Sequence, residues 1–367
     1  MTQLQRVLFS ESSPNIGGQE LQLLEQASGL QRQGVAVHLV CRANSRIASV
    51  ALERGIPTTH LPFRNSLHPP SILGLRRLLR EFKPDVVISH SGHDANAVAV
   101  AARLLKKRPR LVRARTYQPG VPSAWTYNTL VDLTLVPSEY LKSRLLQNPR
   151  IKAERIAVLY PGIPFADNDA KCKQQLPPEL LAQLQIGKRR LLVHAAMLRT
   201  EKGHALMLDV LPRLLEKFPD LLYVIAGEGE LYETLYRRAS NEGLGQNVLF
   251  AGMVTQLPAL MLHAELLVMP SLYEPLGMSQ IEALSHNIPV VASRTGGIPE
   301  TVEDMRSGLL AEPGDVDDWL AKLSWALEHP EAMRAMAAQG NINVRARFCI
   351  SENLRRLQAF LSGLLKA

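Results

Sequence analysis

Leu266-Leu-Val-Met-Pro-Ser-Leu-Tyr-Glu-Pro-Leu-Gly-Met-Ser-Gln-Ile-Glu-Ala-Leu284 decides the architecture of this 367-residue chain. Its first four residues are apolar without polar alternation. That is how a strand reads when it is buried on both faces of a parallel sheet. Pro270, Pro275 and Gly277 break the run, and a helical pattern follows. Glu274 is therefore expected in the loop and Glu282 within the helix. The amides of Gly277, Met278 and Ser279 fall in the unpaired first turn, where backbone N–H groups suit a phosphate. Two carboxylates flanking such a site can hold sugar hydroxyls.

The same alternation of strand and helix continues outward in both directions. Strand-like runs lie at 6–10, 35–40, 85–88, 111–113, 133–136 and 156–159, and again at 191–195, 221–225, 248–250 and 289–292. A first helix is expected to carry Leu21, Leu24, Ala27 and Leu30 on one face and to stop at Gly34. Ser138 is placed as the N-cap of a helix reaching Gln147. Helical patterns fill 315–365. The turn-rich stretch 160–169 and a polar, Pro-containing continuation to Gly187 interrupt the series. The expected organisation is an N-terminal Rossmann-like domain over 1–163, a linker over 164–187 and a C-terminal Rossmann-like domain over 188–345. A final helix, 346–367, packs back on the first domain. The fold class is α/β: two doubly wound domains facing a cleft, with the ligand at the strands' C-terminal ends.

Composition narrows the function. Hydrophobic residues make up 46% and charged residues 21%, which excludes extended disorder and collagen-like sequence. The cysteines Cys41, Cys172 and Cys349 lie far apart with no CxxC pair, so neither a disulfide framework nor structural zinc is expected. The start of the chain reads as a first strand without a signal-peptide layout, and no apolar run approaches the ~20 residues of a membrane span. A cytoplasmic protein is expected. The balance of 42 Lys+Arg against 34 Asp+Glu gives +8. Arg103, Lys106, Lys107, Arg108, Arg110, Arg113 and Arg115 form one basic group; Arg76, Arg77, Arg80 and Lys83 form another. These are either solvated helix faces or a dock for an anionic membrane surface, at ~1 kcal/mol per residue. Nucleic acid is not expected as a partner, because only 5% of residues are aromatic and no binding motif occurs.

Glu274-x7-Glu282 in this setting resembles the E-x7-E signature of retaining glycosyltransferases with the two-Rossmann GT-B fold, family 4. The resemblance spans nearly the whole chain. Met197-Leu-Arg-Thr-Glu-Lys-Gly203 is similar to the family's Gly-Arg-Leu-x3-Lys-Gly segment, and Gly227-Glu-Gly229 to its Gly-x-Gly turn. Ala292-Ser-Arg-Thr-Gly-Gly-Ile-Pro-Glu300 and Ser307-Gly-Leu-Leu310 match further segments, and Gly17-Gly18 resembles the N-terminal glycine loop. The resemblance implies that Arg199 and Lys202 neutralise a donor diphosphate, that Glu282 binds the ribose hydroxyls and that Glu274 binds the transferred sugar. Gly17 and Gly18 would let the backbone approach the diphosphate. His90, in His90-Ser-Gly-His-Asp94, matches the family's histidine near the reacting sugar; His93 is the weaker match, and Asp94 reads as a helix start. One departure stands out: the family's Gly-Arg is Ala196-Met197 here, so Arg199 is expected to supply the missing charge.

The resemblance implies transfer of a hexose-type sugar from a nucleotide-diphosphate sugar to a hydroxyl of a glycan or lipid-linked acceptor. No cofactor is expected, and no Asp-x-Asp motif is read in the chain to carry a divalent metal. The basic N-terminal half, with Arg113-Ala-Arg115 resembling an Arg-x-Arg segment of such transferases, suggests lipopolysaccharide or cell-surface polysaccharide synthesis on the inner face of the cell membrane. A nucleotide-sugar 2-epimerase of the same fold, or an inactive glycan-assembly partner, are the alternatives.

Overall fold

A computed structural model of the chain describes residues 4–116 and 120–366. Two units divide it: Met1–Ile163 with Phe348–Ala367, and Pro164–Arg347. The strands of the first are β1 (Arg6–Ser10), β2 (Ala36–Cys41), β3 (Thr58–His60), β4 (Val86–Ser89), β5 (Arg110–Ala114), β6 (Leu133–Val136) and β7 (Ile156–Val158). They form one parallel sheet in the order β3-β2-β1-β4-β5-β6-β7. The second unit holds β8 (Arg190–Ala195), β9 (Leu221–Ala226), β10 (Val248–Gly252), β11 (Ala264–Met269), β12 (Val290–Ser293) and β13 (Leu309–Ala311). Their order is β10-β9-β8-β11-β12-β13, again parallel. Helices separate most of the strands, and each sheet is doubly wound.

The first sheet is covered on both faces, as its unalternating strands require. On one face Leu23, Leu24, Ala27 and Leu30 of the helix Gly18–Arg32 meet Val7, Phe9, Val37 and Leu39. Leu354, Leu357 and Leu361 join them from the helix Ile350–Lys366, which is why this C-terminal helix belongs to the first unit. Each such leucine contributes roughly 1.5–3 kcal/mol on burial. Leu23, not Leu21, completes the first helix's buried stripe, and Leu21 is exposed. On the other face Leu75, Leu78 and Leu79 of the helix Pro69–Phe82 pack with Leu8, Val87 and Leu111. Ser138 caps the helix Glu139–Leu146, its Oγ accepting from the Leu141 amide at 3.1 Å.

The stretch read as a linker is helical. Phe165–Lys171 and Pro178–Leu184 are short helices of the second unit. Pro178 stands at the first helical position, where its missing N–H costs nothing and its fixed φ favours the turn. The second core joins Leu192, Tyr223 and Ile225 to Leu211 and Leu214 on one helix and to Trp319 and Leu323 on another. No helix among the described residues is long and apolar enough to cross a membrane.

Candidate functional site

The order of each sheet reverses direction once, and ligands of doubly wound folds bind beyond the strand ends at that point. In the second unit the reversal lies between β8 and β11. The loops that leave these strands, 196–203 and 270–278, carry Arg199, Lys202, Glu274, Gly277 and Met278. They pack backbone on backbone. The Leu272 amide donates to the Glu201 carbonyl at 2.8 Å, and Ser279 Oγ donates to Ala195 O at 2.7 Å. Gly203 has φ +73°, and a Cβ there would lie 1.8 Å from the Pro270 carbonyl oxygen. Gly296, φ +57°, would put a Cβ 1.8 Å from the Glu274 carbonyl oxygen. Glycine at these two positions lets three loops meet at one strand edge.

At that edge Lys202 Nζ donates to Glu274 Oε2 at 2.5 Å. Glu274 is buried, only 7% exposed. The cation expected on a diphosphate and the carboxylate expected on a sugar are thus paired with each other, 72 residues apart in sequence. The helix Ser279–Ser285 follows, with Met278 as its N-cap and Gly277 at φ +88° before it. The Gly277, Met278 and Ser279 amides bond to no backbone carbonyl among the described residues. Ser279 offers its amide alone, since its hydroxyl is committed to Ala195. Glu282 keeps a partly exposed edge, yet loss of hydration pushes its carboxyl up to about 7, opposed by Lys171.

Met197 and Arg199 are both exposed and flank the fully buried Leu198. The Arg199 amide donates to the Met197 carbonyl at 2.9 Å, so the chain turns tightly at Leu198 and does not run strand-like between the two residues. Beneath the loop lies a group that the sequence reading passed over. His204 donates from Nε2 to the Met197 carbonyl at 3.1 Å, which leaves its Nδ1 to accept from Tyr223 Oη at 3.4 Å. His194 Nδ1 bonds the same hydroxyl at 2.7 Å. Both rings are buried with centroids 4.1 Å apart. Burial holds His204 down at about 4 and His194 well below its usual value. The neutral His204 under this loop fixes the Met197 carbonyl, and His194 reaches it only through the Tyr223 hydroxyl. The signal was present: His194 interrupts an otherwise apolar strand.

In the first unit the reversal lies between β1 and β4. His90 follows β4, is buried and stacks on Phe9. Its amide donates to Ser10 O at 3.1 Å, and its Nδ1 has no partner among the described residues. Burial brings the ring down to about 4, so it is neutral at physiological pH. His93 is exposed and contacts Ser66 Oγ at 3.0 Å. Asp94 is not a helix cap: Ser91 precedes the helix Gly92–Arg103, and Asp94 lies buried in its first turn. Gly17 precedes the helix Gly18–Arg32, and its amide donates to Glu20 Oε2 at 2.8 Å. Glu11, fully buried behind this loop, accepts from the Ser13 amide and Gln19 Nε2, each at 2.8 Å, and from Ser91 Oγ.

The basic cluster does not form one face. Arg108 grips Asp132 with two bonds of 2.8 and 2.9 Å, Arg110 and Arg155 approach the same carboxylate at 4.0 Å, and Arg103 donates to the Ala99 and Thr129 carbonyls. Arg113 points inward. Two Asp-x-Asp triplets do occur in the sequence, and each is spent on structure. Asp169 of Asp167-Asn168-Asp169 pairs with Arg345 at 2.6 Å and His286 at 3.3 Å. Asp315 of Asp315-Val316-Asp317 caps the helix Val316–Glu328.

Two family models match this chain: glycosyltransferase family 4 over residues 16–166 and glycosyl transferases group 1 over residues 178–342. Between them they take in every strand but β1, and the chain belongs to the family 4, group 1 glycosyltransferases. Sulfoquinovosyl transferase SQD2 of Arabidopsis thaliana is 27% identical over 292 residues, 74% of this chain and 54% of that protein. The chain thus spans about half the length of that curated relative. HepE of Anabaena, solved in complex with UDP, superposes with a TM-score of 0.84 at 20% identity, over 98% of this chain and 100% of that one. The apo lipopolysaccharide outer core galactosyltransferase WaaB gives 0.71 at 18% identity, over 97% and 99%. At such identities the two structures establish the fold, which is the two-domain GT-B architecture.

Proposed function

We propose that this protein transfers a hexose-type sugar from a nucleotide-diphosphate sugar to a hydroxyl of a glycan or glycolipid acceptor, with retention at the anomeric carbon. The carrying observation is the Lys202–Glu274 pair beside the Ser279–Ser285 helix, at the point where the second sheet reverses. Lys202 and Arg199 take the diphosphate with the Gly277–Ser279 amides, Glu282 accepts from the ribose hydroxyls, and Glu274, released from Lys202, accepts from hydroxyls of the sugar. In the first unit, the Gly17–Gly18 backbone suits a diphosphate and the neutral His90 suits a hydrogen bond to a sugar hydroxyl.

In this reading the bond from C1 to the diphosphate oxygen breaks while the acceptor oxygen bonds C1 on the same face. The acceptor proton passes to the leaving phosphate. No protein nucleophile is needed, and the chain's main contribution is fixed positive charge where negative charge develops on the leaving group. Fixed cations fill the role a metal would otherwise have, so transfer is expected to persist in chelator. We further place the reaction in lipopolysaccharide or other cell-surface polysaccharide assembly, at the inner face of the membrane, on the strength of the basic first unit. A thermal-shift screen of nucleotide sugars tests the reading, because a ligand of the native state raises stability as RT ln(1 + [L]/Kd). One donor should stand out and be consumed faster with acceptor present; an epimerase would isomerise it without acceptor. No shift with any nucleoside diphosphate would defeat the proposal.

A further inference from the structure

Arg113 lies at the C-terminal end of β5 and is 6% exposed, although the rest of its basic cluster is at the surface or paired. Its buried Nε has no hydrogen-bond partner among the described residues. The guanidinium rests 5.7 Å over the Tyr127 ring, and its Nη2 approaches Gly92, the first residue of the helix Gly92–Arg103. Burial and the nearby Arg115 both weigh against its charge. Asp94 is an acid that acts on it, but burial and Glu11 push that carboxyl well up, towards the neutral form. An arginine is always charged and cannot escape by losing its proton. A buried, unneutralised guanidinium is costly unless an anion completes it.

The place for that anion is present. Arg113, Arg115, Gly92, Asn96, Ser66 and Thr126 line a cavity of about 360 Å³ within the first unit. Asn96 Nδ2 donates to Ser66 Oγ at 3.3 Å, and Ser66 also meets His93, so the polar wall is already ordered. The N-terminus of a twelve-residue helix opens on the same space, with Ser91 making no side-chain cap. Two arginines, amides of a helix N-terminus and hydroxyl and amide side chains are donors that suit an oxyanion. The volume sits at the small end of ligand sites, roughly 300–1,000 Å³, which matches one sugar carrying an anionic group better than a nucleotide.

We propose that this cavity binds an oxyanion of the acceptor, a phosphate or a carboxylate, and so selects acidic acceptors. This rests on the glycosyltransferase reading for the word acceptor, but the oxyanion site itself does not. The test uses the full chain and calorimetric titration with glucose 6-phosphate, glucuronate and glucose, and with phosphatidylglycerol vesicles in phosphatidylcholine. UDP, GDP and ADP serve as separate probes of the donor site. Expected is binding of at least one oxyanion probe and not of glucose, weakened at least tenfold in Arg113→Met and in Asn96→Asp. The strongest nucleoside diphosphate should bind both variants as it binds the wild type. Without any probe Arg113→Met should melt above the wild type, because it removes an unpaired buried charge. Binding of vesicles alone would assign the oxyanion to a lipid headgroup, and binding of soluble probes to the sugar itself. Oxyanion binding equal to that of glucose, binding unchanged in both variants, or a lower melting point for Arg113→Met would overturn the proposal. If oxyanions bind as described and no nucleoside diphosphate does, the transferase reading fails while the site stands.

Discussion

Replacing Lys202 by methionine separates two roles that the structure gives one side chain. Lys202 keeps 21% of its side-chain surface exposed and Glu274 only 9%, so the pair is largely out of water. Removing one partner of a buried pair costs about 3–5 kcal/mol, because the other charge is left uncompensated. Residual exposure of Lys202 favours the lower end, ~3 kcal/mol. For a domain of this size that is a fall in Tm of ~6–12 °C. Turnover should fall independently by about a hundredfold, the effect of deleting one preorganised charge facing a leaving group. The double variant Lys202→Met/Glu274→Gln removes the orphaned carboxylate and should recover most of the stability. It should recover none of the activity. Scanning calorimetry and kcat/KM for donor consumption read the two effects. If the single variant melts within 2–3 °C of the wild type, a span worth ~1 kcal/mol, the pair is screened by solvent and the energetic argument fails. If the double variant regains turnover, Lys202 acts only as the partner of Glu274.

Arg199→Met should lower kcat/KM by ~3 kcal/mol, the scale of one lost donor, and Arg199→Lys should lower it less; normal kinetics for Arg199→Met would show that the exposed arginine does not reach the phosphates. Glu282 must ionise to accept two ribose hydroxyls, so donor KM should fall roughly tenfold from pH 6 to pH 8, a range that spans its value of about 7. Glu282→Gln should flatten that profile, and an equal pH profile in variant and wild type would refute the role. Acid should loosen the second unit from within: His204 and His194 are held neutral below their unfolded values, so their stability is present above pH ~6.5 and lost as pH falls toward about 4, at ~3 kcal/mol for His204. Glu282 works in the opposite direction, losing stability as pH rises from 4.5 to about 7, so the comparison belongs in the Glu282→Gln background. The protection factors of the β8 amides, taken relative to intrinsic exchange at each pH, should fall between pH 7 and pH 5; unchanged protection would contradict it.

Much of the scaffold was legible because its strands are buried on both faces and announce themselves as apolar runs. The runs at 133–136 and 221–225 lie within one residue of strand limits. Thr58–His60 and Leu309–Ala311 were not read as strands, being three residues long and at sheet edges, where neighbours rather than composition settle the pairing. The helices at Phe165–Lys171 and Pro178–Leu184 hid behind prolines read as breakers, one of which starts a helix. Glu274 and Lys202 were individually visible from their motifs, but their pairing depends on a tertiary contact between two loops. Buried polar groups were the hardest to read. Nothing in the charge run 103–115 separates Arg113, which lines a cavity, from Arg108, which pairs with Asp132. Only the period-two alternation of β5 hints at it.

Same-face transfer fixes the configuration of the transferred sugar. With an α-configured donor identified by thermal shift, proton NMR of the fresh product in excess chelator should show the α-anomer, with release of nucleoside diphosphate matching transfer. A β-anomer would contradict same-face displacement, and loss of turnover on chelation would contradict a clamp built from Lys202, Arg199 and helix-terminal amides.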